Sequence, residues 1–403
     1  MKIPFSPPHI TDEIINEVID TLKSGWITTG PKTKLFEEKL TEYCGNKATL
    51  CVNSATFGLE HILRWFGVGQ GDEVILPAYT YSATGNVVLH LGAKPVLVDI
   101  NKEDFNISLQ KITEAITERT KVIMPVDIGG LPADYDGIYK IAEEKKHLFK
   151  PANEIQEKLG RILILSDAAH SLGAEYKQKK TGSVADVTVF SFHAVKNLTT
   201  AEGGAIALNL PEPFDNNEVY KYLRISSLHG QTKDAFSKTQ GSSWRYDIIE
   251  PGYKGNMTDI QASLGLVALK YYESEALVRR EQIVERYYKA FATKQWAELP
   301  VFKDNNRKSS YHLFLLRIKD ISEAQRDKII EKITGQGVSV NVHFQPLPLL
   351  TAYKARGYNI DNYPVAYDNY AREISLPVYQ DLTDEQADIV IKTVIEAVED
   401  IVK

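Results

Sequence analysis

The 403-residue chain has little cysteine, little net charge and no long apolar run. Its two cysteines, Cys44 and Cys51, are too few for a disulfide scaffold and fit a reducing cytoplasm, where we expect both to be structural. No nearby histidine completes a metal site with them, so we expect no metal. No stretch approaches the roughly 18 apolar residues of a membrane helix. The N-terminal residues 1–5 contain no apolar signal core, so export is not expected.

The balance of charges excludes a further group of functions. Lysine and arginine contribute 47 side chains against 53 from aspartate and glutamate, a formal net charge of −6. A mildly acidic protein lacks the electrostatic basis for capturing nucleic acid or an anionic membrane, and no helix-turn-helix or basic reading face is visible. Because a domain usually has about 100–200 residues, the length favours two domains.

Short apolar runs alternate with helical stretches from about residue 48 onward. We predict strands at residues 48–52, 74–77, 94–98, 122–126, 162–165, 187–192 and 205–208. Their content of Val, Ile and Leu is typical of strands buried on both faces of a sheet. Helical stretches separate several of them, so the pattern predicts a mostly parallel sheet whose ligands gather at the carboxyl ends of the strands.

Helices and a second, smaller unit flank this predicted sheet. Predicted helices cover residues 11–23, 257–290, 323–335 and the region from 383, and further strands are predicted at 311–318 and 338–344. The first helix is capped by Thr11 and is amphipathic, with one stripe formed by Ile14, Ile15, Val18, Ile19 and Leu22. We interpret the polar segment 144–160 as a surface helix or an insertion. The pattern indicates a large domain, residues 1–270, and a small α+β domain, residues 271–403.

Two side chains that follow predicted strands can carry chemistry. Lys196 comes four residues after a buried strand, in a loop that leads to Gly203. Burial there lowers the pKa of an amine and frees it for Schiff-base formation. Asp167 ends another strand, where a carboxylate can pair with a protonated pyridine nitrogen. Taken singly, such a lysine is more often a solvated surface residue and such an aspartate a helix N-cap.

A helix start and an aromatic ring complete the set. Residues 53–56, Asn-Ser-Ala-Thr, follow the first predicted strand and offer N–H groups and hydroxyls to an anion. Tyr81 follows the second and can stack on a flat cofactor, although an isolated tyrosine there is more often in the core. An amine, a carboxylate, an anion site and a flat ring together suit pyridoxal phosphate. A dinucleotide-binding enzyme is an alternative class, but the Gly-x-Gly-x-x-Gly motif is missing after the first strand.

Motifs along nearly the whole chain occur in the same order in one known family. They lie at residues 25–31, 53–56, 77–86, 92–96, 167–170, 191–204, 252–262, 311–313, 342–344 and 375–379. With them the chain resembles the DegT/DnrJ/EryC1/StrS family of pyridoxal-phosphate-dependent nucleotide-sugar aminotransferases. The resemblance implies an α/β protein of the type I aminotransferase fold, with a mostly parallel sheet in the large domain. It also implies a homodimer whose active sites are shared between the subunits.

The resemblance further implies a role for individual residues. Lys196 would bind the aldehyde of the cofactor and move the proton during catalysis, and Asp167 would pair with the ring nitrogen. Tyr81 would stack on the ring, and His170 would lie beside its phenolic oxygen; by itself this histidine is more often packed or on the surface. The phosphate would be held by Ser54, Ala55, Thr56 and Ser191.

Other positions are implied to lie farther from the cofactor ring. Many members carry an asparagine where this chain has Lys254, and that asparagine often reaches the phosphate in the neighbouring subunit. Either Lys254, as a cation, or Asn256 would take its place. The nucleotide would be held by the small domain and the partner subunit. Candidates for this contact are Trp26, His312 and His343, each of which also has a plain interpretation as a core or surface residue.

The resemblance implies a cytoplasmic enzyme that moves an amino group from L-glutamate to a nucleotide-linked 4-keto-6-deoxy sugar. Pyridoxamine phosphate would be the intermediate form of the cofactor, and the product would enter surface polysaccharide, lipopolysaccharide or antibiotic-sugar synthesis. One branch of the family replaces the lysine by histidine and is a sugar dehydratase, which the presence of Lys196 disfavours. Residues 191–204 resemble members that aminate C4. Amination at C3, or a non-catalytic regulator on the same fold, are the alternatives.

Overall fold

The computed structural model describes residues 2–232 and 245–402, and a seven-stranded sheet lies at its centre. The strands are, in chain order, β1 (Ala48–Val52), β2 (Glu73–Pro77), β3 (Lys94–Val98), β4 (Thr120–Ile123), β5 (Leu163–Asp167), β6 (Glu175–Tyr176), β7 (Lys179–Lys180), β8 (Val187–Ser191), β9 (Gly204–Leu208), β10 (Ala297–Glu298), β11 (Arg307–Lys308), β12 (Phe314–Ile318) and β13 (Glu373–Leu376). The order across the central sheet is β1-β9-β8-β5-β4-β2-β3, and β10-β12-β13 and β11-β6-β7 form two small sheets.

Helices cover the sheet and build the C-terminal part. They are α1 (Asp12–Ser24), α2 (Pro31–Cys44), α3 (Ala55–Trp65), α4 (Ser82–His90), α5 (Leu109–Ala115), α6 (Tyr135–Glu144), α7 (Glu154–Leu159), α8 (Asn216–Ser226), α9 (Asp259–Lys270), α10 (Leu277–Phe291), α11 (Glu323–Gly335), α12 (Thr351–Lys354), α13 (Pro364–Arg372) and α14 (Asp384–Ile401). A π-helical turn, Tyr272–Ala276, joins α9 to α10. Thr11 caps α1 as predicted, since its hydroxyl accepts the N–H of Ile14 at 3.3 Å.

The central sheet is parallel except at one strand. β9 runs antiparallel to both of its neighbours, β1 and β8, and the other pairings are parallel. β1, β2, β4, β5 and β9 are buried along their whole length, because helices cover both faces. The carboxyl ends of β1, β2, β5 and β8 therefore meet at one edge, and the predicted site residues follow these strands.

A smaller unit packs around β12 and β13. Its apolar core is contributed by α10, α11, α14 and these strands. Ile3 belongs to the same core and pairs with Val338 through an isolated bridge, so the N-terminus crosses to this unit. The predicted division after residue 270 coincides with the end of α9. We keep residues 1–270 and 271–403 as a proposed division into domains.

Residues 338–344 and the helix α2 differ from the sequence-based predictions. Residues 338–344 are not a strand, because Val338 and Asn341 make only isolated bridges to Ile3 and Ser375. Helix α2 was not predicted, although Pro31 at its first position is a helix-start signal. The segment 144–160 contains α7, as predicted.

The segment 144–160 is nevertheless more than a surface addition. Gln156 of α7 is fully buried, and its side-chain amide donates to the carbonyl of Phe66 at 2.8 Å. Asn153 donates to the same carbonyl at 3.2 Å. These bonds satisfy a carbonyl at the carboxyl end of α3, which otherwise has no partner inside its helix. The insertion therefore anchors the far end of the helix that begins at residue 55.

The described helices include none with the length and apolar composition required to span a membrane.

Gly204 marks the closest approach between β9 and the start of α3. A Cβ at this position would lie 2.6 Å from the N of Ala55, 2.7 Å from the C of Ser54 and 2.8 Å from the O of Phe190, all of them backbone atoms. We expect Gly204→Ala to lower the free energy of unfolding by about 3 kcal/mol in urea denaturation, the upper range for overpacking. Gly69→Ala is the control, since nothing lies within 4 Å of its Cβ position. Equal midpoints for the two variants would contradict this packing.

Candidate active site

A cavity of about 460 Å³ opens at the carboxyl edge of the central sheet. It collects most of the predicted site residues, namely Ser54, Ala55, Thr56, Tyr81, Asp167, His170, Ser191, Lys196, His312 and His343. Three predicted residues do not line it: Trp26, Lys254 and Asn256. The predicted residues that follow β1, β2, β5 and β8 therefore line one cavity.

Lys196 lies in the loop after β8, and its backbone N–H donates to the carbonyl of His193 at 2.9 Å. Burial lowers the pKa of its amine to about 8, and the nearby carboxyl of Asp167 opposes this shift. A substantial fraction of the amine is therefore neutral near physiological pH. A neutral amine is the form that attacks an aldehyde.

Asp167 ends β5 and is 6% exposed. Its Oδ2 accepts the hydroxyl of Thr84 at 2.8 Å, and its Oδ1 accepts the N–H of Ala169 at 3.2 Å. Burial raises the pKa of the carboxyl; the two hydrogen bonds and the amine of Lys196 oppose that rise. Within residues 2–232 and 245–402, no arginine or lysine forms a salt bridge with Asp167. A buried carboxylate in this state favours a cationic ligand group, such as a protonated ring nitrogen.

His170 and His312 face each other with ring centroids 4.4 Å apart. Nδ1 of His170 accepts the N–H of Gly129 at 3.3 Å, so its neutral ring carries the proton on Nε2. The amide of Asn197 donates to the carbonyl of Ser310 at 2.8 Å, which turns its oxygen toward Nδ1 of His312 at 2.8 Å. His312 therefore carries its proton on Nδ1. Burial, reinforced by Lys196, lowers the pKa of both rings well below the ordinary value.

The start of α3 forms an anion site beside this group. Ser54 is the N-cap, and its hydroxyl accepts the N–H of Phe57 at 3.1 Å. Ala55 and Thr56 occupy the first helical positions, whose N–H groups have no acceptor inside the helix. Ser191, at the end of β8, lines the same side of the cavity. Together these groups fit a phosphate.

Tyr81 provides an exposed aromatic wall. It precedes α4 and is 61% exposed, with its ring 5.8 Å from that of Phe344. A tyrosine held at a cavity wall with a free face can stack on a flat ligand. The plain interpretation of Tyr81 as a core residue is wrong.

The three predicted residues outside the cavity have partners of their own. Nε1 of Trp26 donates to the carbonyl of Thr29 at 3.2 Å, and the amide of Asn256 donates to the hydroxyl of Thr29 at 2.6 Å. Lys254 forms an isolated bridge to Leu228. These residues take no part in the cavity of their own chain. Contributions from Lys254 or Asn256 to a second subunit stay predictions.

Some residues that line the cavity or hold its side chains in place were not predicted from the sequence. Thr84 lies inside the motif at residues 77–86, three residues after Tyr81, a helical spacing that signals a shared face. Asn197 directly follows Lys196 and orients His312. Phe344 packs against both Tyr81 and His170. No local pattern signals the bond from Gly129 to His170, because 41 residues separate them.

The cavity fits pyridoxal phosphate group by group. The amine of Lys196 can bind the aldehyde, and the carboxylate of Asp167 can pair with the ring nitrogen. The start of α3 can hold the phosphate. Tyr81 supplies the stacking face, and Nε2–H of His170 is a donor for a phenolic oxygen. The fold and the site together are those of an aminotransferase of type I fold.

The comparison with family models identifies the family. The model described as the DegT/DnrJ/EryC1/StrS aminotransferase family matches residues 8–395. The chain belongs to this family. The predicted family, fold class and enzyme class are confirmed. The two alternatives, a non-catalytic regulator and a dinucleotide-binding enzyme, are therefore set aside.

Relatives match over essentially the whole length. An uncharacterized protein of Methanocaldococcus jannaschii is 44% identical over 395 residues, 97% of this chain and 96% of its own. The spore coat polysaccharide biosynthesis protein SpsC of Bacillus subtilis is 37% identical, covering 100% of this chain and 97% of its own.

A solved structure agrees closely with the fold. It is the putative sugar aminotransferase Spr1654 of Streptococcus pneumoniae in its PLP form, with 47% identity, a TM-score of 0.96 and full coverage of both chains. Its PMP form has 48% identity and a TM-score of 0.95, covering 100% of this chain and 99% of that one. The predicted pair of cofactor forms occurs in this relative.

The lowered pKa of Lys196 predicts a pH profile. We expect the cofactor-free protein to capture pyridoxal phosphate at a rate that rises with pH and levels off above about pH 8, because the neutral amine reacts. An unperturbed lysine would keep gaining rate to about pH 10. Stopped-flow absorbance between pH 6 and 10 measures the profile, with N-acetyl-lysine as the reference. A protein profile that runs parallel to that of the reference contradicts the shift.

Proposed function

We propose that this protein transfers an amino group from L-glutamate to a 4-keto-6-deoxy sugar carried on a nucleotide, and that the product enters surface polysaccharide synthesis. Pyridoxal phosphate is the cofactor. The observation that carries the proposal is the placement of a desolvated amine, Lys196, and a buried carboxylate without a salt bridge, Asp167, in one cavity. SpsC, a polysaccharide biosynthesis protein, and Spr1654, a putative sugar aminotransferase, support the substrate class.

The residues of the chain divide the work. When bound, the cofactor supplies an electron sink for the carbon that carries the amino group. Lys196 holds the cofactor and then moves the proton at that carbon. Asp167 keeps the ring nitrogen protonated, and Nε2–H of His170 donates to the phenolic oxygen. The start of α3 fixes the phosphate, so the ring cannot turn away from Lys196.

The active form is a homodimer in this proposal. The apolar stripe predicted on α1 is largely exposed in the single chain, with Ile15, Ile19 and Leu22 facing outward. Leu35 of α2 is also exposed. Exposed apolar patches of this kind mark protein interfaces. A second subunit brings Lys254 or Asn256 to the neighbouring phosphate. Trp26, His312 and His343 are the candidates for contact with the nucleotide-linked sugar.

Carbon C4 is the preferred position of amination, on the sequence of residues 191–204. The alternative within the same fold is amination at C3. We place the enzyme in the cytoplasm, in agreement with two buried, unpaired cysteines.

A substrate panel tests the reaction. We expect the purified protein with glutamate and a nucleotide 4-keto-6-deoxy sugar to release 2-oxoglutarate and an amino sugar whose C–N position is assigned by NMR. Lys196→Ala removes the proton carrier, so turnover should fall by about 10⁴-fold with the fold retained by circular dichroism. Full turnover in that variant, or no turnover with any keto sugar, overturns the proposal.

The role of the Asp167 carboxylate can be tested separately from that of Lys196. Asp167→Asn keeps the bond from Thr84 but loses the negative charge, so we expect kcat to fall by about 100-fold or more while the affinity for the cofactor's phosphate end changes little. Thr84→Val is the matched control, which retains the charge and removes one hydrogen bond. Equal, mild losses in both variants would assign Asp167 a structural role.

Mixed dimers test the contribution of Lys254 across the interface. Protomers with Lys196→Ala and with Lys254→Ala are each expected to have low activity. After co-refolding, half of the dimers are mixed and each holds one site with both native residues, so about a quarter of the wild-type activity should return. No recovery means that Lys254 does not act in the partner's site.

A further inference from the structure

A chain of hydrogen bonds leads from a buried carboxyl group to the cavity. Nδ1 of His343 lies 2.9 Å from Oγ of Ser375, and that hydroxyl donates to Oε1 of Glu373 at 2.6 Å. Oε2 of Glu373 accepts the backbone N–H of His343 at 3.0 Å. Glu373 and Ser375 are both fully buried on β13, whereas His343 lines the cavity. Both oxygens of the carboxyl group thus serve the same histidine.

The arrangement determines where the proton of His343 lies. When Glu373 is ionised, the hydroxyl of Ser375 gives its single proton to that carboxylate. Its oxygen is then an acceptor, so Nδ1 of His343 must carry the ring proton. Nε2 is left with a lone pair. No hydrogen bond to Nε2 is found in residues 2–232 and 245–402.

His343 is fixed from its other sides as well. Its ring stacks on Phe5 with centroids 5.4 Å apart, and its carbonyl accepts the hydroxyl of Tyr79 at 2.5 Å. Burial, with a contribution from Lys196, lowers the pKa of the ring to about 3. The imidazole therefore stays neutral and cannot swing, so its free nitrogen keeps one direction.

Glu373 is costly in purely structural terms. Burial raises the pKa of its carboxyl to about 8, against the hydrogen bonds from Ser375 and His343 and the charges of Arg326 and Arg317. β13 pairs with β12 through backbone bonds, which do not require an acidic side chain. Glu373 has no direct ion pair among the described residues, and a buried carboxyl group of this kind is rare without a specific use. Its contacts indicate that the use is His343.

We propose that Glu373 is a positioning residue that acts through Ser375 to hold His343 in the tautomer protonated at Nδ1, so that Nε2 accepts a hydrogen bond from a hydroxyl group of the sugar substrate. The tautomer is a property of the free protein. The identity of the donor as a sugar hydroxyl rests on the proposed function.

The tautomer is measured without substrate or turnover. Long-range proton–nitrogen correlation spectra of protein with isotope-labelled histidine distinguish the two ring forms, and His343→Gln assigns the signal among the nine histidines. Above about pH 8, where Glu373 is ionised, we expect the Nδ1–H form in the native protein, its loss in Ser375→Ala and its retention in Ser375→Thr. Glu37→Gln is the control, because Glu37 is a buried carboxyl group with the N–H of Cys51 and the hydroxyl of Tyr220 as donors, remote from the cavity. An Nε2–H form in the native protein above about pH 8 overturns the proposal, whether or not the variants fold.

Kinetic measurements distinguish a role of Glu373 and Ser375 in substrate binding from a purely structural role. For Ser375→Ala and Glu373→Gln, we expect kcat/KM for the keto sugar to fall by about 10- to 100-fold, the size of one lost hydrogen bond to a buried partner. The half-reaction with glutamate, followed by the absorbance of the cofactor, should stay within about twofold. Equal losses in both half-reactions overturn the substrate role of His343. If no keto sugar reacts at all, the proposed function fails while the tautomer result stands.

Discussion

The site depends on two buried groups of opposite charge that do not pair. A carboxylate at the end of β5 faces an amine after β8, and no salt bridge joins them. A direct ion pair would satisfy both groups and leave neither reactive. Instead, Thr84 and the N–H of Ala169 hold Asp167 in place, and burial holds Lys196 close to its neutral form. The protein keeps two groups in states that only a ligand with a cationic ring and an aldehyde satisfies together.

The central sheet makes this arrangement possible. Five of its strands are buried on both faces, so their ends are fixed by packing and not by local hydrogen bonds alone. The only antiparallel strand of the described central sheet, β9, brings Gly204 against the first residues of α3. The N-terminal end of α3, which forms the anion site, is thus held by backbone contact with Gly204. Its C-terminal end is held by Gln156 of α7.

Sequence alone predicted the residues whose position follows from strand order. Lys196, Asp167, Tyr81 and residues 53–56 each follow a buried strand, and parallel strands deliver their ends to one edge. The contacts that orient these residues could not be predicted from the sequence. Only tertiary packing brings Gly129 to His170 and Ser375 to His343. His343 itself was selected by motif, yet the strand predicted around it is an irregular segment tied by isolated bridges.

Among the histidines that line the cavity are His170, His312 and His343, a group of a kind that elsewhere serves as a sensor of acidity. Here burial holds all three rings neutral, with His343 resisting protonation down to about pH 3. Mild acidification of the cell therefore leaves the electrostatic potential at the substrate unchanged by these side chains. Burial thus keeps the charge of these three rings constant while the proton concentration of the surroundings changes.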